Sequence, residues 1–283
     1  KMNRNIISKH IFGFTCLTLI ALFSSFSQAG VQIKADVVYG HKDGMALVYD
    51  VIQPENSNGA AIVFMVSGGW YSRWAPPEAR AEQFSDMLDV GFTVIPVHHG
   101  SAPRYHVPDA YADVSRALRH IKLSAESHGI DADRIGVTGG SAGGHLSLML
   151  GLNSDAGKAS AQDEVERISN QVAAVVAYFP PVDLREITGP NDRFPALDFP
   201  QDAAAAISPI LHADPSDPPT LLIHGDADEL VDISNSEIMF AEFKNQNIES
   251  DFIVIPGGQH GFRGSNATTA NAARLEWFKK HLM

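Results

Sequence analysis

Two textures alternate along the chain: short unbroken apolar runs, and longer stretches in which apolar residues recur every three or four positions. Residues 60–66, 92–97, 134–138, 172–179, 220–224 and 251–255 are runs of the first kind. They predict strands buried on both faces, as in a parallel sheet covered by helices. Residues 109–127 carry Val114, Leu118 and Ile121 at helical spacing, and helices are also predicted over 77–88, 142–152, 233–245 and 270–281. Near the start, 33–39 and 45–52 flank His41-Lys42-Asp43-Gly44, and Asp-Gly is a hairpin signal. Strands alternating with helices behind a leading hairpin predict an α/β architecture. The expectation is a mostly parallel, eight-stranded sheet flanked by helices, in one domain over 30–283. The exception is 183–215, rich in Pro, Asp and Ala with weak periodicity. Long irregular segments inside a domain are usually functional or disordered. This one is expected to cap the carboxyl edge of the sheet, with a plain surface excursion as the other reading.

Residues 1–29 break from this scheme. Lys1, Arg4 and Lys9 give a basic start, 11–26 is apolar, and Ser27-Gln28-Ala29 sets small residues at positions −3 and −1 of a signal-peptidase site. The apolar stretch is short for a membrane span, and no second one of spanning length follows. The expectation is a secretory signal cleaved after Ala29, with no stable membrane insertion afterwards and a secreted or periplasmic location in a bacterium. An uncleaved anchor is the alternative. The single cysteine, Cys16, falls in this segment, so no disulfide or thiolate metal site is expected in the remainder. Cleavage would remove three of 21 basic residues and none of the 33 acidic ones, deepening the net charge from −12 to −15. That balance argues against nucleic acid or an anionic membrane as partner. No H-E-x-x-H, cysteine cluster or phosphate-binding loop occurs, so neither a metal nor another cofactor is implied.

The candidate chemistry lies in the turns that follow predicted strands. Gly139-Gly140-Ser141-Ala142-Gly143 has the G-x-S-x-G pattern between a strand and a helix, the setting that gives the pattern meaning. Its glycines let strand and helix pass closely while Ser141 takes a strained conformation. A free serine hydroxyl is a poor nucleophile, so the geometry calls for a base nearby. Two later strands run into His224-Gly225-Asp226-Ala227-Asp228 and Gly258-Gln259-His260-Gly261-Phe262. Each sets an acid or a histidine just past a strand's carboxyl end, and the order is serine, acid, histidine.

On these three motifs the chain resembles the α/β-hydrolase superfamily, in the bacterial esterase and lipase group that includes carbohydrate acetyl- and feruloyl-esterase-like enzymes and hormone-sensitive-lipase relatives. The likeness runs over residues 39–281. It implies that Ser141 attacks an acyl carbonyl, that His260 takes its proton and passes it to the leaving alcohol, and that an aspartate orients the imidazole. Asp228 has the family's spacing for that third role, and Asp226 is expected to fix the loop through backbone hydrogen bonds. The resemblance further implies an oxyanion hole from the amides of Ala142, Gly68 and Gly69. Here the chain departs from the family: Ser67 replaces the leading histidine of the loop, and Trp70 stands where a small residue is usual. Trp70, Tyr71 and Trp74 are candidates for lining the substrate pocket. His145, His98 and His99 match no ligand pattern.

The function implied is a secreted serine carboxylester hydrolase for short acyl esters, with acetyl or feruloyl groups on carbohydrate as candidate substrates. A small-molecule or carbohydrate ester would be the partner. The alternatives are a prolyl-oligopeptidase-type serine peptidase and a non-catalytic α/β-hydrolase used as a binding module.

Overall fold

The computed structural model describes residues 27, 28 and 30–283. The proposed export signal lies outside the described residues except for Ser27 and Gln28. All eight expected strands form: β2 (Val31–Lys42), β3 (Met45–Pro54), β4 (Ala61–Met65), β5 (Thr93–Val97), β6 (Ile135–Gly140), β7 (Ala174–Tyr178), β8 (Thr220–Gly225) and β9 (Ser250–Ile255). A two-residue strand, β1 (Ser27–Gln28), extends the edge and makes nine. The order is β1-β2-β3-β5-β4-β6-β7-β8-β9. The leading hairpin is antiparallel, and everything from β5 to β9 is parallel.

That order positions the site. Because β4 sits between β5 and β6, the loop leaving β4 stands beside the turn leaving β6. Ligands in open α/β sheets bind at the carboxyl ends of the strands, and all the candidate motifs gather on this rim.

The helices are α1 (Pro77–Gln83), α2 (Ser85–Asp89), α3 (Val107–Leu123), α4 (Ala142–Leu152), α5 (Ser234–Asn245) and α6 (Gly264–Leu282). They cover both faces. Along β7, Val175 and Ala177 face one core with Leu118 and Leu146, while Ala174 and Val176 face the other with Phe84 and Phe278. This is the two-residue period of a strand covered on both sides.

Three helices depart from their expected bounds, among them α3, which ends at Leu123 rather than at 127. The single helix predicted over 77–88 is two, broken at Phe84 (φ −114°, ψ 25°). Phe84 is fully buried with its ring 4.8 Å from that of Phe64, so tertiary packing overrides local propensity. Helix α6 starts six residues before the expected 270, through Gly264-Ser265-Asn266-Ala267-Thr268-Thr269, which carries no apolar stripe to reveal it.

The segment 183–215 forms four short 3₁₀ turns rather than regular helix. Ala196, Leu197, Phe199, Ala204 and Ile207 are buried in the core on the α3 and α4 side. The described residues contain no helix long and apolar enough to cross a membrane.

Candidate active site

Ser141 links β6 to α4 with φ 56° and ψ −121°. A non-glycine residue there is strained, at a cost of about 1–3 kcal/mol that the surroundings must hold in place. They do so through backbone. The Ser141 amide donates to Tyr178 O on β7 (2.9 Å), and the His145 amide donates to Ser141 O (2.9 Å). A Cβ on Gly139 would sit 2.5 Å from the carbonyl of Gly143, and one on Gly143 would sit 2.9 Å from Met65 O. Only glycine lets strand and helix pass this closely. The Ala142 amide, in the first turn of α4, has no carbonyl four residues back to bond and is free to face a ligand.

The acid and the histidine are joined. His260 Nδ1–H donates to Asp228 Oδ2 at 2.8 Å. The other carboxylate oxygen accepts the amides of Leu230 (2.9 Å) and Val231 (3.0 Å). The Asp228 side chain is fully buried, so it depends on these donors. With Nδ1 committed as donor, Nε2 of His260 is left as the basic nitrogen. Two contacts lock the acid loop to the histidine loop. Asp226 Oδ1 accepts the Gly257 amide (2.6 Å), the loop-fixing role expected of it, and Ala227 N donates to Gly258 O (3.0 Å). Behind Asp228, buried His224 hydrogen-bonds through Nε2 to Val231 O (2.9 Å) and through Nδ1 to Ser236 Oγ (2.7 Å). Burial pulls its pKa below the usual imidazole value, so it stays neutral beside the carboxylate.

Phe179 connects this pair to the elbow. It leaves β7 with φ 37°. Its ring lies 4.6 Å from the His260 ring and against Gly140, where a Cβ would be 3.0 Å from it. No hydrogen bond joins the Ser141 hydroxyl to His260 among the described residues. Serine–histidine bonds commonly tighten only when substrate fills the site.

The turn after β4 differs in part from expectation. Gly68 and Tyr71 exchange two backbone hydrogen bonds, each 3.0 Å, around Gly69 (φ 57°) and Trp70 (φ 59°). Positive φ at both central positions is the demand of a tight I′ turn. The Gly68 amide is therefore consumed inside the turn. In this turn the amides of Gly69 and Trp70 have no acceptor among the described residues, so with Ala142 they are the ones open to a ligand. The Trp70 ring is not an open pocket wall: it is buried, 5.6 Å from the His145 ring in an edge-on contact. Tyr71 is half-buried, and Trp74 is 63% exposed. Phe194, from the irregular segment, lies over the turn, with its ring 3.0 Å from where a Gly69 Cβ would be.

Ser67 explains how the turn is held without the usual histidine. His99 Nδ1–H donates to Gly100 O (2.9 Å), which leaves Nε2 to accept the Ser67 hydroxyl proton (2.9 Å). Burial lowers the His99 pKa and keeps the ring neutral. Ser72 accepts the His99 amide (3.2 Å) and lies 3.3 Å from His98 Nδ1, and the Ser72 amide donates to Ser101 Oγ (3.1 Å). The histidine pair at the end of β5 thus secures the turn from the neighbouring strand. Sequence reasoning set His98 and His99 aside. The available signal was two adjacent histidines at a strand's carboxyl end, one strand from the candidate oxyanion loop.

The chain is 26% identical over 243 residues to esterase LipQ and 27% identical over 239 to the probable carboxylic ester hydrolase LipM, both of Mycobacterium tuberculosis. These matches cover 81% and 77% of this chain, which spans only 57% and 54% of those relatives. Among solved structures it resembles a truncated carbohydrate esterase from gut microbiota (TM-score 0.74, 28% identity, 88% of this chain and 95% of that one). It also resembles a thermophilic esterase of Thermogutta terrifontis (TM-score 0.73, 25% identity, 89% and 92% covered). The BD-FAE family model matches residues 49–243, and the chain belongs to that family.

Proposed function

We propose that the protein is a serine carboxylester hydrolase acting on short acyl esters, with acetyl or feruloyl groups on carbohydrate as the substrate class. The observation that carries this is the 2.8 Å bond from His260 to the buried Asp228 carboxylate, on the same rim as a serine held in an elbow at the head of a helix. In the reaction Ser141 Oγ attacks the acyl carbon while His260 Nε2 takes its proton. Asp228 stabilises the resulting imidazolium and keeps the tautomer. The amides of Gly69, Trp70 and Ala142 receive the oxyanion, each worth about 3 kcal/mol in the transition state. His260 then protonates the leaving alcohol, and water activated by the same nitrogen releases the acid from acyl-Ser141.

A cavity of about 350 Å³, bounded by Phe64, Gly140, Phe179 and Phe262, is large enough for a short or aromatic acyl group. Segment 183–215, with Phe194 over the oxyanion turn, serves as a small cap. Likeness to a carbohydrate esterase supports a sugar ester, and the character of residues 1–29 supports export from a bacterial cytoplasm.

The test is turnover of p-nitrophenyl esters graded from acetyl to decanoyl, with acetylated xylan and methyl ferulate alongside. Short esters are expected to be cleaved, with kcat falling at least about 10⁴-fold in Ser141→Ala. Unchanged turnover in that variant, or faster cleavage of aminoacyl anilides than of esters, would contradict the reading.

A further inference from the structure

A second cavity, of about 460 Å³, lies beside the turn after β4. Phe64, Ser67, Gly68, Tyr71, Arg73 and Arg80 are among the residues that line it. Two arginines line it together. Arg104, Arg116, Arg119, Arg185 and Arg274 all lie in ion pairs with aspartate or glutamate. In a chain with 33 acidic residues such partners are plentiful. Arg73 and Arg80 have none among the described residues, nor do Arg134, Arg167, Arg193 and Arg263; what joins Arg73 to Arg80 is that both line this one cavity.

Arg80 is half-buried. Its guanidinium lies 5.4 Å from the Phe64 ring centre, one terminal nitrogen donates to Gln83 Oε1 (2.8 Å), and buried Nε has no acceptor. Arg73 is exposed, 5.7 Å from the Tyr71 ring centre. Guanidiniums set against aromatic faces are held as flat forks with their remaining donors directed outward, which suits a carboxylate. The acidic group that acts on Arg80 does not close the cavity. That group is Asp50, buried with Oδ1 accepting the Asp36 amide (2.9 Å), and it does not line the space. His98 nearby is held neutral by burial, its pKa pushed down to about 4.

We propose that Arg73 and Arg80 bind a carboxylate carried by the ester substrate, so that the enzyme prefers esters with an acidic group beside the scissile bond. The inference rests on the ester-hydrolase reading above. It goes beyond that reading by assigning a charge to the substrate. The acid can belong to the acyl portion or to the alcohol portion, as in a uronic acid sugar, and the experiment separates the two.

The measurement is the ratio of kcat/KM for an acidic ester to that for its neutral counterpart. p-Nitrophenyl hydrogen succinate against p-nitrophenyl butyrate reads the acyl side, and 4-acetoxybenzoate against its methyl ester reads the alcohol side. In one of these arms the ratio is expected to fall at least about tenfold in the Arg73→Gln/Arg80→Gln double variant, because charge-assisted bidentate bonds are the strong ones. Arg73→Gln alone, at an exposed position that folding does not need, should show several-fold of the same loss, and added salt should erode the wild-type preference. Calorimetric binding of p-nitrophenyl hydrogen succinate and 4-acetoxybenzoate to Ser141→Ala protein, with and without the two arginine changes, provides a readout independent of turnover. Hydrolysis of neutral esters with ratios unaltered in both arms and equal binding overturns the arginine site alone. Arginine-dependent binding of the acidic esters by a protein that hydrolyses no ester leaves this site standing and overturns the hydrolase reading instead.

Discussion

The serine elbow after β6 and the tight turn after β4 leave adjacent strands of the sheet, yet they are held in place by opposite means. At the elbow, positioning is a matter of backbone crowding. Gly139 and Gly143 lie so close that a methyl group on either meets a carbonyl, and the Ser141 amide is tied to the next strand. At the turn, positioning comes from side-chain hydrogen bonds to the loop after β5: His99 accepts from Ser67, and Ser72 and Ser101 complete the tether. Crowded backbone leaves few choices of residue, so it writes a recognisable motif. A hydrogen-bonded tether can be built from several side-chain combinations, so it does not. The substitution of Ser67 for a histidine is an instance, with His99 supplying the ring from the loop after β5.

This contrast can be broken first at the elbow. Gly139→Ala places a methyl group 2.5 Å from the Gly143 carbonyl, with only backbone to yield. If backbone crowding sets the serine, kcat should fall at least about 10²-fold, the cost of a displacement near 1 Å at a reacting group. Ester turnover by folded protein measures it. Full activity in that variant would show that the elbow has slack.

A smaller loss is expected at the turn. Ser67→Ala leaves buried His99 Nε2 without its donor and frees the turn without removing an amide. The expected result is a fall of about tenfold in kcat with KM little changed, below the 10²–10³ of losing a donor outright. Unaltered kcat would mean that the I′ turn holds itself.

The smallest effect concerns the residue that ties both regions together. His145, on the elbow helix, donates through Nε2 to Ile207 O in the irregular segment (2.8 Å) and lies against the Trp70 ring. Complete burial pushes its pKa down to about 4 from an ordinary 6.5. Below pH 6.5 the unfolded chain binds a proton that the folded protein refuses. The contribution is therefore intact above pH 6.5 and is lost as pH falls towards 4, on the order of 3 kcal/mol in all. His145→Gln keeps a donor and removes the titration. Denaturant unfolding at pH 7 and pH 4.5 should show the variant losing roughly 2 kcal/mol less than wild type over that interval. Equal losses would mean that the ring protonates without opening the core.

The strands were legible because each is an unbroken apolar run between turn residues, and the sheet follows from them. The break at Phe84 was not, since it depends on a ring from β4 that local periodicity cannot register. The early start of α6 was hidden for a related reason: its first turn and a half carries no apolar stripe. In the site, Ser141 was readable from its glycines, and His260 and Asp228 from the turns that follow β9 and β8. The use of the Gly68 amide within its own turn was not readable, because Trp70 does not advertise a left-handed conformation. Phe179 escaped notice for the same reason, since a positive φ at a phenylalanine leaves no mark in the sequence.

The most direct test of the central claim is mass spectrometry of peptides after treatment with a fluorophosphonate. An activated serine beside a histidine base should carry one adduct, on Ser141, and His260→Ala should all but abolish it. Labelling elsewhere, or none in active protein, would contradict the assignment of Ser141 as nucleophile.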